Sequence, residues 1–491
     1  METSPKVVPQ EFADSMKQEF EEFAKQVMEA VNDAPDGQWI AGSEEQVRDL
    51  SAEMRRKIFE QAVQRRVNAV EAAFPPPHCP TTGKRLANKG LQSHKVLSIN
   101  GPIKIVRRWW YGPKLGSVAP ADAILDRDGS TITPGVIEMA CRLNLSTTSF
   151  IRAGAVLERT AQLKLCGERL RQVIEATGRR VLKAQQNNTI DVAWHAEDCV
   201  VRAEKMKDGE SDASIKNDEN AAKTRVYTGC DGVMVPIITD AEKIKRRDAV
   251  KAKRRRRGKK CKPLPPRKHG SDLPWKEFKV AFFYSENGKH QHVAFTHGNH
   301  EVAGKLLRRE ADRLRFAKAD ERVGLVDGAV WIREQMKLHF AELSALGLDF
   351  FHLSENVHRA RRKVFGEESS VGKIWADELM HIFKHEGYAA AWEKLLAWRT
   401  TLPETKREAA DRLLHFVSAR KEMICYPEFR RQGWQIGSGP TESQCKLCVK
   451  RLKGHGRRWD RLNATAIAAL ETLDRNSQWH QVFPTPRPTT T

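Results

Sequence analysis

Three acidic residues stand where a carboxylate is costly unless it does chemistry. Glu321 to Ile332 reads E-R-V-G-L-V-D-G-A-V-W-I. Val323, Leu325 and Val326 form a short apolar run of the kind that fills a buried strand. The run stops at Asp327-Gly328, which puts a carboxylate at the tip of a core strand, where open α/β sheets carry their chemistry. An Asp-Gly turn after an ordinary strand is the alternative. Arg225 to Cys230 reads as a second apolar-leaning strand, reaches Asp231-Gly232, and continues through Val233, Val235, Ile237 and Ile238. The third acid follows G-S-G-P-T at 437–441, a helix start with Pro440 in the first turn. Cys445, Val449 and Leu452 follow Glu442 at spacings of three, four and three, so Glu442 shares the face that packs on the sheet. Lys446, Lys450, Arg451 and Lys453 fall mostly elsewhere. A carboxylate on a buried face is costly without a cation. Complementarity with the helix N-terminus is one explanation; a metal shared with Asp231 and Asp327 is the better one. Cys445 and Cys448 lie inside this helix and read as core.

Two aspartates and a glutamate brought together can hold two divalent cations about 4 Å apart. Such oxygen ligands suit Mg²⁺, which keeps several of its waters, with Mn²⁺ expected to substitute. One cation would activate water or a DNA 3′-hydroxyl for in-line attack on phosphorus, and the other would stabilise the leaving oxygen.

The elements needed to position these acids are legible in order. Phe278 to Tyr284 and His292 to Thr296 read as strands joined at Asn287-Gly288. A helix from about His300 to Phe316 leads into the strand of Asp327, a helix from Arg333 to Ser344 follows, and L-D-F-F-H-L at 348–353 reads as a fifth strand. Strand, strand, strand, helix, strand, with carboxylates on the first and fourth strands, is the order of the ribonuclease H type of fold. Residues 367–425 read as an all-α insertion whose aromatic residues (Trp375, Phe383, Tyr388, Trp392, Trp398) form its own core. Residues 426–475 contain the last core helix.

Upstream, residues 1–75 read as a helical arm, with Phe12, Met16, Phe20, Phe23, Val27 and Val31 on one stripe and Val47, Leu50, Met54, Ile58 and Ala62 on the next. Residues 76–125 form a small β region, with a hairpin turning at Asn100-Gly101. Arg107, Arg108, Trp109, Trp110 and Tyr111 interleave charge and rings, which suits either phosphate and base contacts or sheet packing. His78 and Cys79 lack partner ligands, so no zinc is expected there. Residues 126–200 hold three helices, at about 134–145, 149–162 and 167–186. They fit either a helix-turn-helix DNA reader or a plain bundle with arginines on its solvent face. A polar linker is expected at 201–224 and a disordered tail at 476–491.

The net charge of +21 over 491 residues suits a polyanionic partner, most simply DNA or RNA. Ala241 to Lys268 carries fifteen lysines and arginines against Glu242 and Asp248, a net +13. So dense a block is expected to order only against phosphates. No apolar run approaches the length that spans a bilayer, and the first residues lack a signal peptide's apolar stretch. Nine scattered cysteines fit a reduced, cytoplasmic setting.

With D-G-V-M-V-P, V-D-G-A-V-W-I, L-D-F-F-H-L and G-S-G-P-T-E-S-Q-C-K in this order, the chain resembles bacterial insertion-sequence transposases of the DDE class. The likeness is to the ISKra-type group and, more distantly, to Mutator-like enzymes. It covers roughly 226–459, and G-S-G-x-x-E-S-x-x-K followed by R-L-K-G-x-G-x-x-W is its most specific part. The resemblance implies that Asp231, Asp327 and Glu442 are the metal-binding triad, that His352 lies near the active site, and that Lys446 and Arg451 lie close to the DNA backbone. The family's paired cysteines are reduced here to Cys79-Pro-Thr-Thr and Tyr111-Gly-Pro-Lys, and the basic insertion at 239–275 is longer than the family pattern. The expected DNA contacts are Arg107, Arg108, Arg254, Arg255, Arg256, Arg257, Lys259, Lys260, Lys446, Lys450, Arg451, Lys453, Arg457 and Arg458. A transposase acting on double-stranded DNA as a homodimer or larger assembly, in a bacterial nucleoid, is the reading that results. A ribonuclease H-fold nuclease and a DNA-binding repressor or architectural factor without catalysis are the alternatives.

Overall fold

The computed structural model describes residues 10–125, 131–147, 149–201, 223–258, 262–454 and 456–483. Most of the expected linker, the second half of the expected tail, and Lys259 and Lys260 lie outside the described residues. The chain divides into two compact units, Met1–Ile174 and Glu175–Thr491.

In the first unit, helices Gln10–Asn32 and Trp39–Ala73 precede a three-stranded antiparallel sheet of β1 (Ala87–Ser98), β2 (Gly101–Gly112) and β3 (Gly116–Val118). Ser98 pairs with Gly101, so the hairpin turns at Ile99-Asn100, one residue earlier than its Asn-Gly pair suggests. Ser98 Oγ explains the shift: it donates to Gly101 O and accepts from Asn100 N. The long second helix covers β2 in two ways. Phe59, Val63 and Val67 pack on Val96, Ile103 and Ile105. Glu60, Gln64 and Glu71, all on that helix, accept from the amides of Lys104, Val106 and Arg108, which blunts an otherwise open strand edge. Arg107, expected to face DNA, is buried instead and forks onto Asp122, with Nη2 2.9 Å from Oδ2. Its neighbour on the same strand, Arg108, is exposed. Helices Pro134–Ser146, Phe150–Ala161 and Gly167–Gln186 follow close to their sequence-read bounds.

The second unit is a mixed α/β structure. Its sheet contains β4 (Val200–Val201), β5 (Lys223–Pro236), β6 (Trp275–Ser285), β7 (Gln291–Thr296), β8 (Glu321–Val326) and β9 (Ala345–Leu348). The spatial order is β7-β6-β5-β8-β9, with β4 pairing on β5. β5 pairs antiparallel with β6 and β6 with β7, whereas β8 pairs parallel with β5 and β9 with β8. The apolar runs read from the sequence fill it: Val226, Val280, Phe282, Phe283, Val323 and Leu325 are fully buried. Helices Ser370–His385, Tyr388–Thr401 and Glu404–Ser418 lie between β9 and Glu442. Their aromatics are core, with the rings of Trp375 and Trp398 at 4.1 Å and Phe383 buried. Among the described residues no helix is long and apolar enough to cross a membrane.

Three segments depart from their sequence reading. The fifth strand ends at Leu348, and L-D-F-F-H-L instead opens the helix Phe350–Phe365, because Asp349 caps it by accepting from His352 N at 2.9 Å. The basic run is helical over Asp240–Arg256, nucleated by a capping box between Thr239 and Glu242. The start of the expected tail is tied down: the Asn476 side-chain amide pairs with both backbone groups of Val293 on the edge strand β7, and Trp479 is buried.

A buried ion cluster joins β7 to the helix His300–Arg313. Glu310, 2% exposed, accepts from His292 Nε2 at 2.9 Å and pairs with Arg309 and Arg313. Burial pushes its carboxyl up, but the bond from His292 and the charges of His292, Arg313 and Arg309 outweigh it and hold the group at about 2. A carboxylate depressed from an ordinary 4.5 stabilises the fold above that value and loses this contribution as pH falls toward 2. Glu310→Gln is therefore expected to cost on the order of 2 kcal/mol at neutral pH. The cost should shrink to almost nothing near pH 2, which urea melts across that range would record. An equal penalty at both pH values would remove the ionic explanation.

Candidate metal centre

The register of β5 on β8 places the first two acids. Arg225 pairs with Glu321 and Thr228 with Gly324. This pairing ends three residues short of Asp231 on β5 and of Asp327 just past β8. The two carboxylates feel each other's charge, with Asp327 raising Asp231. Asp231 sits inside β5, opposite Val280 of β6. Asp327 follows the last residue of β8, where its Oδ1 accepts from Ala329 N at 2.8 Å in a tight turn that needs Gly328 at φ +78°.

Glu442 arrives on the helix Gly439–Cys448, which packs against β5 and β6. Glycine makes this approach feasible: a Cβ on Gly229 would lie 2.2 Å from Thr441 Oγ1 and 3.0 Å from Leu325 O. The segment leading into the helix is anchored by a buried network. Arg225 donates to Glu321 Oε2 (2.6 Å), Glu286 Oε2 (2.8 Å) and the carbonyls of Gly433 and Gln432. Tyr227 OH accepts from Gln435 N and donates to Glu286. Cys445, Val449 and Leu452 are buried as their spacing implies, although the helix itself stops at Cys448.

Asp349, which the sequence reading passed over, ties the fourth residue to this group. It is 1% exposed, and both oxygens are committed. Oδ1 accepts from Ser438 N (2.6 Å), and Oδ2 accepts from His352 N (2.9 Å) and His352 Nδ1 (2.7 Å). It thus fixes the start of the Glu442 helix and the ring of His352 together. His352 Nδ1 is 3.9 Å from Glu442 Oε1. The Asp349 bond, against burial, and the charges of Asp349, Asp327 and Glu442 raise His352 to about 9. Asp231 is raised by burial first and then by Asp327 and Glu442, with His352 acting the other way. The four expected residues therefore share one electrostatic neighbourhood.

Ligand atoms of Asp349, His352 and Glu442 lie within 4.8 Å of one another. Both oxygens of Asp349 already accept hydrogen bonds. Among the described residues Asp231 and Asp327 do not join this group at that distance, although three carboxylates are the oxygen chemistry that suits Mg²⁺. Asp349 had a signal in the sequence: Phe350, Leu353, Val357, Ala360 and Val364 repeat at helical spacing just after it.

The cations expected around the centre divide. Lys446, Lys450 and Lys453 are exposed. Arg457 and Arg458 are half-buried, Arg457 donating to Arg451 O at 2.7 Å and Arg458 pairing with Glu242. Arg451, placed near DNA by the resemblance, is 4% exposed, with its guanidinium 5.3 Å from the Trp459 ring. Burial lowers it to about 10. Arg451 builds the turn after the Glu442 helix and does not face solvent.

No family model and no curated protein matches this sequence. A solved structure, the Drosophila P element transposase strand transfer complex, is 11% identical, covering 73% of this chain and 83% of its own, with a TM-score of 0.24. A superposition that loose assigns neither fold nor activity.

Proposed function

We propose that this chain is a DNA transposase of the DDE class, built on a ribonuclease H-like core, that cuts and joins DNA at the ends of its own element. The reading is supported above all by the shared electrostatics of the acids, Asp231 feeling the charges of Asp327 and Glu442, and by the close approach at Gly229 of the helix that carries Glu442. The strand order β7-β6-β5-β8-β9 supports the fold assignment.

In this reading Asp231, Asp327 and Glu442 hold two Mg²⁺ ions, with Mn²⁺ able to substitute. When bound, the ions supply activation of the attacking hydroxyl and stabilisation of the leaving oxygen. Burial of Asp231 gives the centre a low dielectric, which strengthens its hold on a cation. His352, kept protonated by Asp349, presents a fixed positive charge suited to a phosphate oxygen. Exposed Lys446, Lys450 and Lys453, with Arg108 in the first unit, supply charge for the DNA backbone. Joining two DNA ends calls for at least two copies of the chain, and the activity belongs with nucleoid DNA in the cytoplasm.

The test is cleavage and joining of labelled DNA carrying the element's ends, with Mg²⁺ or with EDTA, beside Asp327→Ala. Metal-dependent products that vanish in the variant are expected, and joined products separate a transposase from a nuclease. Tight binding without products, equal in both proteins, would sink the catalytic reading in favour of a DNA-binding factor.

A further inference from the structure

The helix Asp240–Arg256 has no buried residue, yet its base is firmly held. Asp240 accepts from Gly270 N (2.8 Å) and pairs with Arg267. Glu242 pairs with Arg458, and Lys243 Nζ donates to Asp460 Oδ2 (2.6 Å) and His269 O (2.7 Å). Ile237 bridges to Trp459 just before the helix begins. The base is therefore joined to the segment that follows the Glu442 helix.

The cations along the helix separate by face. Lys243, Arg247 and Arg254, spaced by four and seven, lie on one side. Arg247 donates to Pro265 O (2.7 Å) and Arg254 to Lys262 O (2.6 Å), so this side grips the returning chain by its carbonyls. At the helical step of about 100° per residue, Lys245, Arg246, Lys253, Arg256 and Arg257 fall on a neighbouring arc roughly 120° wide, turned away from that side. All five are exposed, and none has an acidic or carbonyl partner for its side chain among the described residues. Lys251, outside the arc, is taken by Asp248 at 3.5 Å. Glu242, the acid at the foot of the arc, is neutralised by Arg458.

We propose that this open arc is a preformed, sequence-independent binding face for the phosphodiester backbone of duplex DNA, and that the gripping side of the same helix exists to hold it rigid. This deepens the transposase reading by assigning Lys245, Arg246 and Lys253 to DNA and removing Arg254 from it. A prefolded helix loses no backbone entropy on binding, unlike a coil that must order on phosphates.

The experiment uses the full chain with random-sequence duplex DNA in EDTA, where binding is measured without chemistry. Affinity is followed against salt by fluorescence anisotropy. Each phosphate contact contributes about 0.9 to the slope of log affinity against log salt. Replacing Lys245, Arg246, Lys253, Arg256 and Arg257 together by Gln should lower that slope by roughly 3 to 4.5, with circular dichroism and Tm unchanged. Arg247→Gln with Arg254→Gln should change it by less than about 1 while exposing residues 262–271 to protease. An unchanged slope in the five-residue variant overturns the proposal. So does a drop per charge removed that is the same in both variants, since net charge alone would then suffice. Because no cleavage is read, failure here is distinct from failure of the catalytic assignment.

Discussion

Asp231→Asn is expected to remove metal-dependent cleavage, by roughly 10³-fold or more, and at the same time to raise the Tm of the metal-free protein. In the proposed two-metal centre the first effect follows from losing one of three oxygen ligands, a contribution of several kcal/mol to the transition state. The second has the opposite sign because the folded protein disfavours this carboxylate. Burial raises Asp231, and Asp327 and Glu442 raise it further. A carboxyl raised above its unfolded value of 3.8 weakens the fold once it ionises, so the neutral amide relieves a cost present at pH 7. Asparagine keeps the shape and can still accept from Gly232 N as Asp231 Oδ1 does. Adding Mg²⁺ should raise the Tm of wild type and leave the variant nearly unmoved. A variant less stable than wild type without metal would show that Asp231 serves the fold and would undercut the metal assignment. Under the proposed function, activity is held against a local electrostatic penalty, as a site selected for chemistry would require.

What the sequence disclosed of this site was set by how locally each residue's position is determined. The strands of Asp231 and Asp327 were legible because β-branched and aromatic runs with polar breaks leave few other folds for them. Glu442 was legible because its apolar companions at 445, 449 and 452 fix which face of a helix it occupies. Asp349 was missed because L-D-F-F-H-L is apolar enough for a strand, and the helical spacing that starts at Phe350 is distinguished from it only by the residues after Leu353. The basic helix was missed for a different reason. Repulsion among its charges argues against order, and the compensating contacts come from far along the chain, at Arg267, Arg458 and Asp460. Arg107 and Arg451 look like surface cations by type, and only Asp122 and Trp459, brought in by folding, draw them inward. Residue type reported the charges well; their partners were tertiary information.

That dependence on close tertiary packing makes Gly229→Ala informative far from any ligand. The new methyl would lie 2.2 Å from Thr441 Oγ1 and 2.9 Å from Thr441 Cγ2, with Leu325 O at 3.0 Å. Thr441 is 2% exposed and has no room to turn away, so the helix must move off β5. Overpacking of this kind costs about 1–3 kcal/mol, which a core of this size withstands. Glu442 is the next residue, and the shift carries its carboxylate away from Asp231 and Asp327. A displacement near 1 Å at a reacting centre costs about 10²-fold, so cleavage should fall by that factor or more while circular dichroism stays native. Adding Thr441→Ala removes the two closest of these atoms, leaving the Leu325 carbonyl contact at 3.0 Å. The double variant should therefore recover part of the lost activity, although Thr441→Ala alone gives no gain. Full activity in Gly229→Ala would mean that the spacing between β5 and this helix does not set the position of Glu442, and the three-acid centre would lose its geometric basis.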